Sequence, residues 1–136
     1  MTQEDKQLLL VDLCARLPYG VIVQVNDGLK GAYDSQLVQV FCDRVSCSVN
    51  VRNPKECICI DSVKPYLRPL SSMTEEEKVE YTSYCFEQPF LQKDKTPNLG
   101  SVPMCIDWLN AHHFDYRGLI QKGLAISTEE FNPYKN

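Results

Sequence analysis

The hydrophobic pattern of this chain changes period twice, and that change restricts its fold more than any other feature. Between residues 2 and 17, Leu10, Leu13, Cys14 and Leu17 recur at i, i+3, i+4 and i+7, which lines one face of an α-helix. Thr2 is placed to cap that helix, with Glu4 and Asp5 in the first turn, where the dipole favours anions. Pro18-Tyr19-Gly20 ends it. From Val21 the period becomes two. Val21, Val23 and Val25 alternate with Ile22 and Gln24, and Asn26-Asp27-Gly28 supplies a turn. Residues 36–42 are mostly apolar and read as a second strand covered on both faces. Val45, Cys47, Val49 and Val51 alternate with Ser46, Ser48 and Asn50 as a third. Asn53-Pro54-Lys55 makes the next turn, and residues 57–60 a fourth strand. Short strands on short turns form an antiparallel meander. With the segment from Val63 as a fifth element, it can curl into a small SH3-like barrel. Pro65 and Pro69 argue against a regular central strand over residues 63–70.

The second change of period comes at Thr74, where Thr74 and Glu77 form a capping box and Glu75, Glu76 and Glu77 load the first turn with negative charge. This helix runs to about Phe86, before Pro89, and residues 87–101 read as a loop. Ser101 and Pro103 open a third helix with Cys105, Trp108, Leu109 and His112 on one face, and Asp107, Asn110 and His113 off it. Trp108 is expected in the core, with Phe114, Leu119 and Ile120 under it. Asp115 and Gly123 bracket a last short helix. Residues 127–136 are expected to fray. The chain therefore reads as a single α+β domain over residues 1–126: an N-terminal helix, a meander of four to five antiparallel strands and a helical C-terminal third.

A length of 136 residues is enough to bury a core without staples. The formal net charge is -4, and the longest basic cluster, residues 64–68, holds two cations. Generic electrostatic binding to nucleic acid or to an anionic membrane is disfavoured. No apolar run approaches the roughly 18–20 residues of a membrane span. The start, Met1-Thr2-Gln3-Glu4-Asp5, lacks the basic and apolar regions of an export signal, so a cytoplasmic location is expected. Oligomeric state is not legible.

The seven cysteines are Cys14, Cys42, Cys47, Cys57, Cys59, Cys85 and Cys105. An odd number without an export signal favours reduced thiols acting as small buried hydrophobes. Cys42, Cys47, Cys57 and Cys59 are the one metal-like set, but they lack the Cys-x2-Cys knuckle that aims two sulfurs at one zinc. No metal and no cofactor is therefore expected. His112, His113 and Asp115 with a cysteine could build a thiol nucleophile and its base. Adjacent helix residues do not face one another, however, and a histidine at a helix C-terminus is favoured by the dipole alone. The remaining candidates are the aromatic–arginine groups: Tyr66 and Arg68, then His113, Tyr116 and Arg117. Such mixtures are enriched at binding hot spots, and also occur where a tyrosine ring packs inward. Of these two readings, packing is the stronger.

Three stretches resemble a known family. They are Asp12-Leu13-Cys14-Ala15-Arg16-Leu17-Pro18-Tyr19-Gly20-Val21, Val63-Lys64-Pro65-Tyr66-Leu67-Arg68-Pro69-Leu70-Ser71-Ser72-Met73-Thr74-Glu75-Glu76-Glu77, and Asp107-Trp108-Leu109-Asn110 through His113-Phe114-Asp115-Tyr116-Arg117-Gly118-Leu119-Ile120. The family is one of small uncharacterised proteins in gut Bacteroidales genomes, including mobile and phage-derived regions. The resemblance covers the helical ends and the strand-to-helix junction; residues 22–62 match only in strand pattern. It implies a bacterial or phage cytoplasmic protein, and neither an activity nor catalytic residues. The function expected is a protein-interaction module without catalytic activity. The alternatives are a nucleic-acid or nucleotide binder using a barrel face, and a small Cys/His enzyme.

Overall fold

The computed structural model describes residues 1–26, 28, 31–42, 47–53, 56–86 and 101–135. Thr2 caps helix α1 (Gln3–Arg16) in a closed box: its hydroxyl accepts from the Asp5 N–H at 3.1 Å, and the Asp5 carboxylate accepts from the Thr2 N–H at 3.2 Å. The buried face is Leu9, Asp12, Leu13 and Arg16, turned about one residue from the expected stripe, so that Cys14 is exposed. A salt bridge between Asp12 and Arg16 is what lets two charged side chains occupy that face. After a 3-10 turn over Leu17–Tyr19, Gly20 adopts φ +70°, a left-handed conformation that a Cβ would strain.

The strands are β1 (Ile22–Asn26), β2 (Ala32–Cys42), β3 (Cys47–Val51), β4 (Glu56–Cys59), β5 (Val63–Leu67) and β6 (Ile126–Ser127), ordered β4-β3-β2-β1-β5-β6. All neighbours are antiparallel except β5 and β6. The first half of β2 pairs with β1 and the second half with β3, and its register shifts between Leu37 and Gln39. A bulge there bends the strand. A 3-10 turn over Ile60–Ser62 joins β4 to β5. Among the described residues no pairing joins β4 to β6, so the bent sheet stays open. Its inner face buries Val21, Val23, Val25, Val49, Val51 and Ile58 against Leu9 and Leu13 of α1.

Two segments differ from expectation. Despite Pro65, β5 is an interior strand between β1 and β6. The Leu67 carbonyl accepts from Thr128 on the β6 side, and the Tyr66 carbonyl faces β1. By alternation the position of residue 65 points toward β6, whose pairing starts only at Tyr66. The amide that proline lacks is therefore not needed by β1. Residues 127–135 do not fray. β6 pairs with β5, and Tyr134 closes the end of the β1–β5 ladder: its hydroxyl accepts from the Ile22 N–H at 2.9 Å and donates to the Tyr66 carbonyl at 2.9 Å.

Helices α2 (Glu75–Phe86) and α3 (Ser101–Ala111) pack together. Thr74 and Glu77 make the expected box at the start of α2, at 3.0 and 3.1 Å. Trp108 and Leu109 are buried in a second cluster with Phe114, Tyr81 and Met73. Leu119 and Ile120, expected there, instead join the main core. Asn110, placed off the apolar face by its spacing, is nevertheless buried and accepts from the Tyr116 hydroxyl at 2.9 Å. Asp115 accepts from the N–H groups of Leu119 and Ile120 at 2.9 and 3.0 Å as a cap does, but the backbone beyond it forms turns rather than a helix. Among the described residues no helix is long and apolar enough to cross a membrane.

Candidate functional site

The end of β5, the C-terminus of α3 and the returning tail meet at His113. This residue sits at φ +63°, a region that residues other than glycine rarely occupy. Both of its backbone groups nevertheless have partners. Its N–H reaches the Asn110 carbonyl at 3.1 Å, and its carbonyl accepts from the Arg68 N–H at 2.7 Å. Asp115 N–H returns to the Arg68 carbonyl at 2.8 Å, so a two-bond bridge fixes the strained residue to the sheet. The imidazole stacks on Tyr134, with ring centroids 3.6 Å apart and planes 8° off parallel. Burial, then the nearby Arg16, His112 and Arg68, push its pKa down to about 4, so the ring is neutral at pH 7. Its buried Nδ1 has no hydrogen-bond partner among the described residues.

Arg68 forms the adjoining wall. Its guanidinium binds both Glu77 oxygens at 2.7 Å and lies over the Phe114 ring at 4.1 Å. Hydrogen bonding from Arg68 holds the Glu77 carboxyl down to about 2 against the opposing effect of burial. Between these walls runs a groove of about 610 Å³, lined among others by Arg68, Glu77, His112, His113, Glu129 and Lys135. Its charges balance: Arg68 is matched by Glu77, and Lys135 stands with Glu129. None of the cysteines among the described residues lines it.

The structure thus brings Arg68 and His113 to one groove, with Tyr66 behind it. The Tyr66 hydroxyl donates to Asp34 at 2.7 Å and accepts from Gln24 at 3.2 Å. Burial and the Asp34 contact push its pKa up to about 12. Tyr116 and Arg117 lie outside the groove lining and knit the fold together. Arg117 donates to Asp12 at 3.0 Å and to the Tyr116 hydroxyl at 2.9 Å. Sequence reasoning missed Asp12 and Arg16, whose i, i+4 spacing was the available signal, and Tyr134, for which the local sequence carries none.

The cysteines depart from the expected burial. Cys14, Cys42, Cys57 and Cys59 are exposed, Cys47 is half-buried and Cys105 is buried; the side chain of Cys85 lies outside the described residues. Residues opposite one another in a ladder share a face. Cys42 faces Cys47 on the side of Val40 and Val49, whereas Cys57 and Cys59 lie with Asn50 and Ser48 on the other. The four thiols therefore do not converge. The outer face of β2–β3–β4 presents Gln39, Phe41, Ser48, Asn50, Cys57 and Cys59, with no cation among them. Comparison with protein-family models, with curated proteins and with solved structures finds no match.

Proposed function

We propose that this chain is a small cytoplasmic protein-interaction module, of bacterial or phage-derived origin and without catalytic activity, that takes a segment of a partner protein into the His113 groove. The origin rests on the family resemblance. The binding site rests on one observation: a left-handed, neutral histidine is held by its neighbours at the wall of a groove. Strained backbone kept in place by its surroundings clusters at binding positions, and a groove of this size suits a few residues of an extended chain. Its balanced charge favours amide and hydroxyl partners over phosphates. Among the described strand residues the outer face of β2–β3–β4 carries no cation with which to follow a nucleic-acid backbone, which counts against the barrel-face alternative. A Cys/His enzyme would need a thiol beside the histidines, and none of the cysteines among the described residues lines the groove.

Photo-crosslinking tests this reading. A crosslinker is placed at Glu129 on the groove, with a control at Glu4 on α1, in cells that make the protein. One protein species crosslinked from position 129 and absent from position 4 is the expected result, followed by direct binding of that purified species. Nucleic acid as the crosslinked species, or equal capture from both positions, would contradict it.

A further inference from the structure

The hairpin of β2 and β3 sets Cys42 opposite Cys47 in register, with the two Sγ atoms 2.6 Å apart. Directly opposed residues in an antiparallel pair have Cα atoms about 4.5–5.5 Å apart, within the span a disulfide bridges. Cys42 is exposed and Cys47 half-buried, so a small reagent can reach the pair. Cys57 and Cys59 point from the other face of the sheet and do not compete. Cys14 on α1 is near enough to Cys42 that their charges interact, and that interaction adds to the burial that raises the Cys14 pKa. Among the described residues Cys14 is therefore the rival partner.

We propose that Cys42 and Cys47 are a reversible dithiol–disulfide pair, oxidised by small disulfides of the glutathione type. The Cys42 thiolate, the more accessible of the two, attacks one sulfur of the small disulfide. A mixed disulfide forms, and one small thiolate leaves and takes up the proton that Cys42 gave up. The Cys47 thiolate then attacks the Cys42 sulfur. The internal bond forms, and the second small thiolate leaves and takes up the Cys47 proton. The protein loses two electrons and two protons, and the small disulfide becomes two thiols. A reducing cytoplasm keeps the pair open, and an oxidative shift closes it. Closure locks the end of the hairpin beside Phe41, which is exposed on the outer sheet face. The inference is independent of the groove.

The test is incubation of the folded protein with glutathione disulfide, then alkylation, proteolysis and mass spectrometry. The expected product has lost the Cys42 and Cys47 thiols, contains a peptide pair joined through these residues, carries no glutathione on either and reverts with dithiothreitol. Cys14→Ser should leave this product unchanged. Cys47→Ser, checked for its native fold by circular dichroism, should abolish it and retain glutathione on Cys42. A bond between Cys14 and Cys42, persistent glutathione on both Cys42 and Cys47, or no reaction at either would each overturn the proposal.

Discussion

Asp12 and Arg16 meet at 2.7 Å with neither side chain exposed to water. The Arg16 guanidinium also donates to the Phe114 carbonyl at 2.6 Å, so α1 is tied to the turn that carries His113. Removing one member of a buried ion pair leaves the other as an uncompensated charge, at a cost of about 3–5 kcal/mol. Asp12→Ala should lose that much in chemical denaturation. The double variant Asp12→Leu with Arg16→Met should lose less than Asp12→Ala alone, because the fully buried Arg16 charge is no longer stranded, while Arg117, which also donates to Asp12, is partly exposed and loses its partner in both. A double variant less stable than the single would show that the pair contributes net stability beyond mutual compensation.

Tyr134→Phe keeps the ring on His113 and removes the hydroxyl that bridges Ile22 and Tyr66. Two backbone groups then lose their partner, and stability should fall by about 1–3 kcal/mol. Hydrogen exchange at the Ile22 amide should accelerate most among the β1 amides. Unchanged exchange there would show that the bridge does not protect the end of the ladder.

Acid should weaken the fold through His113. Its folded pKa of about 4 lies below the ordinary value of 6.5, so between these limits the unfolded chain binds more protons. The contribution is full above about pH 6.5, declines as pH falls and is gone near pH 4. Allowing for the partial exposure of the ring, it is about 2 kcal/mol. His113→Asn, which tolerates the left-handed backbone, should flatten the stability profile between pH 6.5 and 4.5. Glu77 acts in a lower window: its depressed carboxyl stabilises above the ordinary value of 4.5, and that contribution is lost as pH falls toward 2. A variant as steep as the parent above pH 4.5 would assign the slope to another group.

Trp108 is 6% exposed and stacks on Phe114 and His112. Trp108→Ala should cost about 3–5 kcal/mol. Its indole N–H has no hydrogen-bond partner among the described residues, so Trp108→Phe forfeits packing area and no such bond. Thermal melts should place the phenylalanine variant well above the alanine variant. Equal melting temperatures would mean that the ring makes little packing contribution.

Local signals carried much of this fold. Thr2, Thr74 and Gly20 each marked a boundary through chemistry within a few residues. The alternation of Val21, Val23 and Val25 marked β1 in the same way. Signals that depend on distant partners were hidden. A two-residue strand such as β6 has no periodicity to read, and nothing beside Tyr134 announces a hydroxyl that bonds to Ile22, 112 residues away. Nothing local marked Asp12 and Arg16 as buried, because burial of charge is decided by what covers it. Cys57 and Cys59 were misread through their residue type. Ile58 between them faces the core, and the period of two then turns both thiols outward. At the candidate site, Arg68 and His113 were legible as an aromatic–arginine theme. The groove between them was not, since its far wall comes from the tail.

The central claim is that the His113 groove holds a partner segment, and isothermal titration with the crosslinked partner measures it most directly. Glu129→Lys changes the exposed wall of the groove, and His112→Ala removes a half-buried lining side chain. Each should weaken binding at least about tenfold, or 1.4 kcal/mol. For Glu129→Lys the melting temperature should stay unchanged, which separates lost binding from lost folding. Full affinity in both variants would contradict the account and move the binding surface away from His113.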